Sequence, residues 1–144
     1  MATGTRNRWK ERGSTVDSVE VRVKRGTRIM DETVQGWYQN VDLSTLNMTN
    51  GDLCVAGQAV PLGGGNEVAR RYENESGYWA MKIYLEKRVE MGTLPPEASV
   101  VWAGFSPIFS RATLRGTDAD DLAEAWTAEI LERRHRDAAS ILEA

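Results

Sequence analysis

The sequence predicts an α+β fold: about three main helices packed with a small, mostly antiparallel sheet. Three observations carry this expectation. Apolar residues recur at spacings of three, four and seven around Val34, cover a wide helical arc around Tyr84 and step by four around Trp126. Val19, Val21 and Val23 alternate with Glu20, Arg22 and Lys24, which is the strand period. Residues 99–104 and 109–115 have strand character, with Ser106-Pro107 as a turn between them. The sheet would then use 19–24, 99–104 and 109–115. The alternative is a mainly α domain in which those segments are loops.

In order along the chain, residues 1–17 read as a flexible basic arm, polar and rich in Thr, Ser and Gly, with Trp9 the one aromatic residue. Residues 18–144 read as a single α+β domain. The valine alternation predicts an edge strand, with the charged side discouraging further pairing. Gly26 is expected to break it. Thr27 is then placed to cap a helix whose first turn holds Asp31 and Glu32, where acids favour the dipole. Its stripe is Ile29, Met30, Val34, Trp37, Tyr38 and Val41, interrupted by Gly36.

Asn47 to Asp52 is a turn cluster, and Asn50 or Asp52 can cap a short helix through Gln58. Pro61 and the glycine run 63–65 are expected to end it. Glu67 to Asn74 reads as a short helix or loop. Ser76 caps a stronger helix, apolar over a wide arc that includes Trp79, Met81, Tyr84 and Leu85. Pro95-Pro96 forbids its continuation. Thr117 and Asp120 imitate a capping box ahead of the last helix. There Leu122, Trp126 and Ile130 step by four along one buried face, and Arg133 to Arg136 fall towards the far end, where cations suit the dipole.

The run Val41-Asp42-Leu43-Ser44-Thr45-Leu46-Asn47-Met48, followed by Cys54-Val55-Ala56-Gly57-Gln58, resembles a motif in small uncharacterised proteins of actinobacterial phages. Gly36-Trp37 upstream is similar to the same group. So is Gly104-Phe105 ahead of an acidic, Trp-containing helix. The resemblance implies a provenance and supplies no chemistry.

Hydrophobic content of 41% and charged content of 27% suit a water-soluble globular domain. The apolar runs are far too short for a membrane span, and no signal peptide opens the chain. One cysteine cannot form an internal disulfide, which fits a reducing cytoplasm. The net charge of -3 is unevenly spread. Residues 1–28 hold eight basic and three acidic side chains, and the remainder holds ten basic and eighteen acidic. A basic segment on an acidic body is a pattern of nucleic-acid-binding and partner-binding proteins, and also of tails that rest on their own body.

No motif points to catalysis. Cys54 with His135 as base would need a third, orienting group, and a cysteine between Leu53 and Val55 reads as a buried small hydrophobe. One Cys and one His are too few for a zinc site. The glycine run lacks the lysine of a P-loop, and Asp118, Asp120 and Asp121 lack the rest of a calcium loop. No cofactor or metal is expected. The sequence therefore reads as a non-enzymatic binding protein, and the resemblance to phage proteins implies a host bacterial cytoplasm as its setting. Arg6, Arg8, Trp9, Lys10 and Arg12 would engage a host protein or nucleic acid. The alternatives are an enzyme with an unrecognised site and a minor virion component.

Overall fold

The structure, a computed structural model, describes residues 17–62, 66–72, 75–110, 115–116 and 118–143. These residues form a mainly α domain. The helices are α1 (Val19–Thr33), α2 (Val55–Leu62), α3 (Glu67–Arg71), α4 (Gly77–Glu90) and α5 (Ala119–Glu143). A 3-10 turn spans Trp37–Gln39. The expected sheet is absent from the described residues. A two-residue antiparallel ladder pairs β1 (Phe109–Ser110) with β2 (Arg115–Gly116), with Phe109 opposite Gly116.

The expected strand at 19–24 is instead the first part of α1. The Ser18 hydroxyl accepts from the Val21 amide and caps the helix one residue before the alternation begins. Three valines at a period of two deceive because the helical stripe continues past them, through Val23, Gly26, Thr27 and Met30, all buried. Val21 is 43% exposed, which a strand with inward valines would not allow. Gly26 does not break the helix. It is where the helix is approached most closely: a Cβ there would lie 2.2 Å from the Ala103 carbonyl and 2.8 Å from the Trp126 ring.

The expected helix from Arg28 to Val41 is likewise corrected. α1 is already running at Arg28 and stops at Thr33. Gly36 then takes the left-handed region, at φ 71°, and turns the chain into the 3-10 segment. Residues 99–104 form turns rather than a strand. The Ala103 amide bonds the Ser99 carbonyl, the Phe105 amide bonds the Val100 carbonyl, and Gly104 sits at φ 74°. The segment expected as one strand at 109–115 holds only the two short ladder pieces, and 111–114 lie outside the described residues.

Other expectations hold in their main lines. Asn50 accepts from the Asp52 and Leu53 amides just before α2, although α2 runs through Pro61 rather than ending ahead of it. Ser76 caps α4, and Asn66 caps the short α3. Leu122, Trp126 and Ile130 are fully buried. Thr117 and the glycine run 63–65 lie outside the described residues. α5 continues past Arg133 to Arg136 and takes in Ile141 and Leu142, ending at Glu143.

Two helix pairs make the architecture. α1 packs along α5, and the two run in the same direction: Arg22 meets Asp118 near one end, and Asp31 meets Arg133 near the other. α2 packs on α4, where Gly77 lets the helices meet closely, since a Cβ there would be 2.4 Å from the Ala56 carbonyl. The 3-10 turn touches both α2 and α5. Trp37 within it is fully buried, edge-on to Trp126 at 5.6 Å between ring centroids. The segment read as central in the sequence thus joins the two pairs.

The junction between α1 and the 99–106 turns is polar. Arg22 is 1% exposed. Its guanidinium pairs with Asp118, and donates to the Val101 carbonyl at 2.8 Å and the Ser106 carbonyl at 2.9 Å. Asp118 also accepts from the Ile108 amide at 2.8 Å. A buried charge is tolerable because each of the three guanidinium nitrogens meets an acceptor.

Candidate interaction surface

A groove of about 800 Å³ opens between α1 and α5. Its apolar lining is Val19 and Val23 from the first turns of α1 and Ala125 and Ala128 from α5. Its rim is acidic. Glu20 lies on the α1 side, and Asp121, Glu124, Glu129 and Glu132 on the α5 side, against Lys24 alone as a cation. Helical periodicity builds this surface. The parallel pair turns Arg22 and Gly26 towards the 99–106 turns and leaves 19, 20, 23 and 24 facing α5.

The rim carboxylates differ in their partners. Glu129 accepts from Arg133 at 2.7 Å, and Glu132 from Arg136 at 3.1 Å. Among the described residues, Glu20, Asp121 and Glu124 have no ion-pair partner. The groove is therefore a negative surface with an apolar base, the size of a typical binding cleft.

Most described cations are already engaged. Arg25 pairs with Asp17 and lies over the Trp102 ring at 4.6 Å. Arg71, Lys82, Lys87, Arg88, Arg133 and Arg136 each pair with a carboxylate. Arg134 donates to the carbonyls of Tyr38 and Val41. Asp31 holds Arg133 at 2.6 Å and also accepts from the Trp37 indole at 3.0 Å.

Cys54 is 1% exposed. Its sulfur accepts from the Gly57 amide at 3.3 Å, and burial pushes the thiol up to about 11 from its ordinary 9.0. A thiol held protonated at neutral pH is a poor nucleophile. His135 is exposed on α5. No group of three or more His, Cys, Asp or Glu positioned to hold a metal occurs among the described residues. No helix among them is long and apolar enough to cross a membrane.

The sequence reading placed the contact at Arg6, Arg8, Trp9, Lys10 and Arg12, and all five lie outside the described residues. The groove was missed because its halves are about a hundred residues apart and each half alone reads as a solvated helix face. Trp37 and Trp126 are buried and Trp102 is partly so. Trp79 is 51% exposed, with Lys82 above its ring. Neither a protein-family model, nor a curated protein, nor a solved structure matches this chain.

Proposed function

We propose that this chain is a small non-enzymatic binding protein of phage type that engages a host macromolecule in the bacterial cytoplasm through its basic segment. The observation that carries this reading is the distribution of usable positive charge. The described cations of the body are largely held by its own carboxylates and carbonyls. Residues 1–16 hold Arg6, Arg8, Lys10 and Arg12 around Trp9, with Glu11 as their one acid. Guanidinium and ammonium groups on such a segment suit phosphates or carboxylates, and an indole adds stacking or insertion. The buried, proton-bearing Cys54 supports a binding role over thiol chemistry. The resemblance of the 41–58 region to actinobacterial phage proteins supports the setting.

The test is a pull-down from host lysate with and without nuclease, followed by titration of the captured class as a defined ligand. A duplex contacted by all four cations would lose affinity with a log–log salt slope of about -3 to -4. Replacing Arg6, Arg8, Lys10 and Arg12 by Gln, or removing residues 1–12, should abolish binding and leave the helical circular dichroism unchanged. Undiminished binding by these variants overturns the reading.

A further inference from the structure

We propose that two copies of this chain pair through the outer face of α5, with their helices antiparallel. The pairing adds an assembly to the binding role proposed above and does not depend on it.

An exposed helical seam is the first argument. Large exposed hydrophobic side chains gather in the second half of α5: Leu131 at 51%, Ile141 at 75% and Leu142 at 86%. The body holds the helix from the other side, through the buried Leu122, Trp126 and Ile130, and through Asp137, which accepts from the Tyr38 hydroxyl at 2.6 Å. The outer side repeats at intervals of three and four. Asp121, Glu124, Ala128, Leu131, His135, Ala138 and Leu142 all lie on it and all are exposed. That spacing keeps a continuous seam against a second helix. Ala128 and Ala138 are small enough for the second helix to come close.

Charge is the second argument, and it selects the occupant. The first half of the seam presents Asp121 and Glu124, which have no ion-pair partner among the described residues. The second half presents His135, with Arg136 beside it in an exposed pair with Glu132. Two parallel copies would set Asp121 and Glu124 against their own counterparts, and like charges repel. Two antiparallel copies set the acidic half of each against the basic half of the other, twice by symmetry. Their helix dipoles then oppose as well. A partner carrying a single sign of charge would suit only one half of the seam.

Register is the third argument. Setting Glu124 opposite His135 of the second copy also sets Leu131 opposite Ala128 and Ala138 opposite Asp121. It overlaps the two helices along nearly their whole length, Ala119–Glu143. A slide of one heptad would instead set Glu124 against Leu142 and Leu131 against His135, which desolvates a carboxylate on a leucine. Asp121, Glu124 and Ala128 also line the α1–α5 groove, so the second copy borders that groove along its α5 wall.

Sedimentation equilibrium of the full chain, between about 1 μM and about 1 mM, tests the pairing. A monomer–dimer equilibrium is expected. Leu131→Glu and Leu142→Glu should each weaken it by at least about tenfold, since each removes apolar burial twice per dimer. Glu124→Arg and His135→Glu should each weaken it, and the two together should restore it. Nitroxides on Ser140→Cys, an exposed position off the seam, in a Cys54→Ala background, report the orientation. Antiparallel helices in this register hold the two labels about 30 Å apart along the axis. Parallel helices would hold them at about 20 Å or less. A chain that stays monomeric throughout, a dimer indifferent to Leu131→Glu and Leu142→Glu, or the short label distance overturns the proposal. Failure of the double charge exchange to restore pairing overturns the register. If a substituted chain loses its helical circular dichroism, the label distance in the chain with an unaltered seam decides alone.

Discussion

The indole Nε1 of Trp126 donates to the carbonyl of Gly104 at 2.7 Å. This ties the middle of α5 to the turn that covers α1. The same ring stacks on Phe105 at 5.7 Å and meets Trp37 edge-on. Trp126→Ala removes a fully buried ring and leaves the Gly104 carbonyl unpaired. We expect a loss of about 3–5 kcal/mol, measured by urea denaturation. Trp126→Phe should cost less, with the lost hydrogen bond as its main deficit.

Gly26 separates close packing from backbone freedom. Alanine at an ordinary helical position stabilises, but here its Cβ would strike the Ala103 carbonyl and the Trp126 ring. Gly26→Ala should destabilise by about 1–3 kcal/mol despite the better helix propensity. Gly36→Ala is the comparison: nothing lies within 4 Å, and the cost is the left-handed φ alone. That cost is about 1–2 kcal/mol. Thermal melts of both variants check the contrast.

Arg22 should be far more costly to remove than any exposed cation. Arg22→Ala strands Asp118 and two carbonyls in a buried site. The expected loss is about 3–5 kcal/mol. Arg136→Ala breaks a surface pair and should change stability by less than about 1 kcal/mol. A double-mutant cycle with Asp118→Asn should show strong coupling to Arg22.

Cys54 sets a pH window. In the folded chain its thiol holds its proton up to about 11, and in the unfolded chain it releases it near 9.0. Its contribution is therefore complete below pH 9.0 and is lost as pH rises through about 11. Cys54→Ala should flatten that part of the stability profile. A thiol reagent at neutral pH should modify native protein far more slowly than unfolded protein.

What could be read from the sequence depended on how local the deciding interaction is. Ser76, Asn50 and the Leu122–Trp126–Ile130 face were legible because caps and helical stripes are written within a few residues. The helical state of 19–24 was not, because a valine alternation fits both periods until Gly26 is known to continue the helix. The 99–104 turns were missed for a related reason. They owe their shape to Arg22 and Trp126, which arrive from remote parts of the chain. The groove was invisible for the same cause, and the exposure of Trp79 was not legible because α4 is apolar on more sides than it buries.

The parallel pairing of α1 with α5 also governs biosynthesis. Arg22 and Asp118 are 96 residues apart, and Asp31 and Arg133 are 102 apart. At about 5–20 residues per second, α1 emerges roughly 5–20 s before its partner is made. During that interval Val23, Ile29 and Met30 have no helix to cover them, while α2 and α4 can already close on each other. Ribosome-bound chains halted before Asp118 should thus protect the α2–α4 pair from protease and leave α1 open to cleavage and to chaperones.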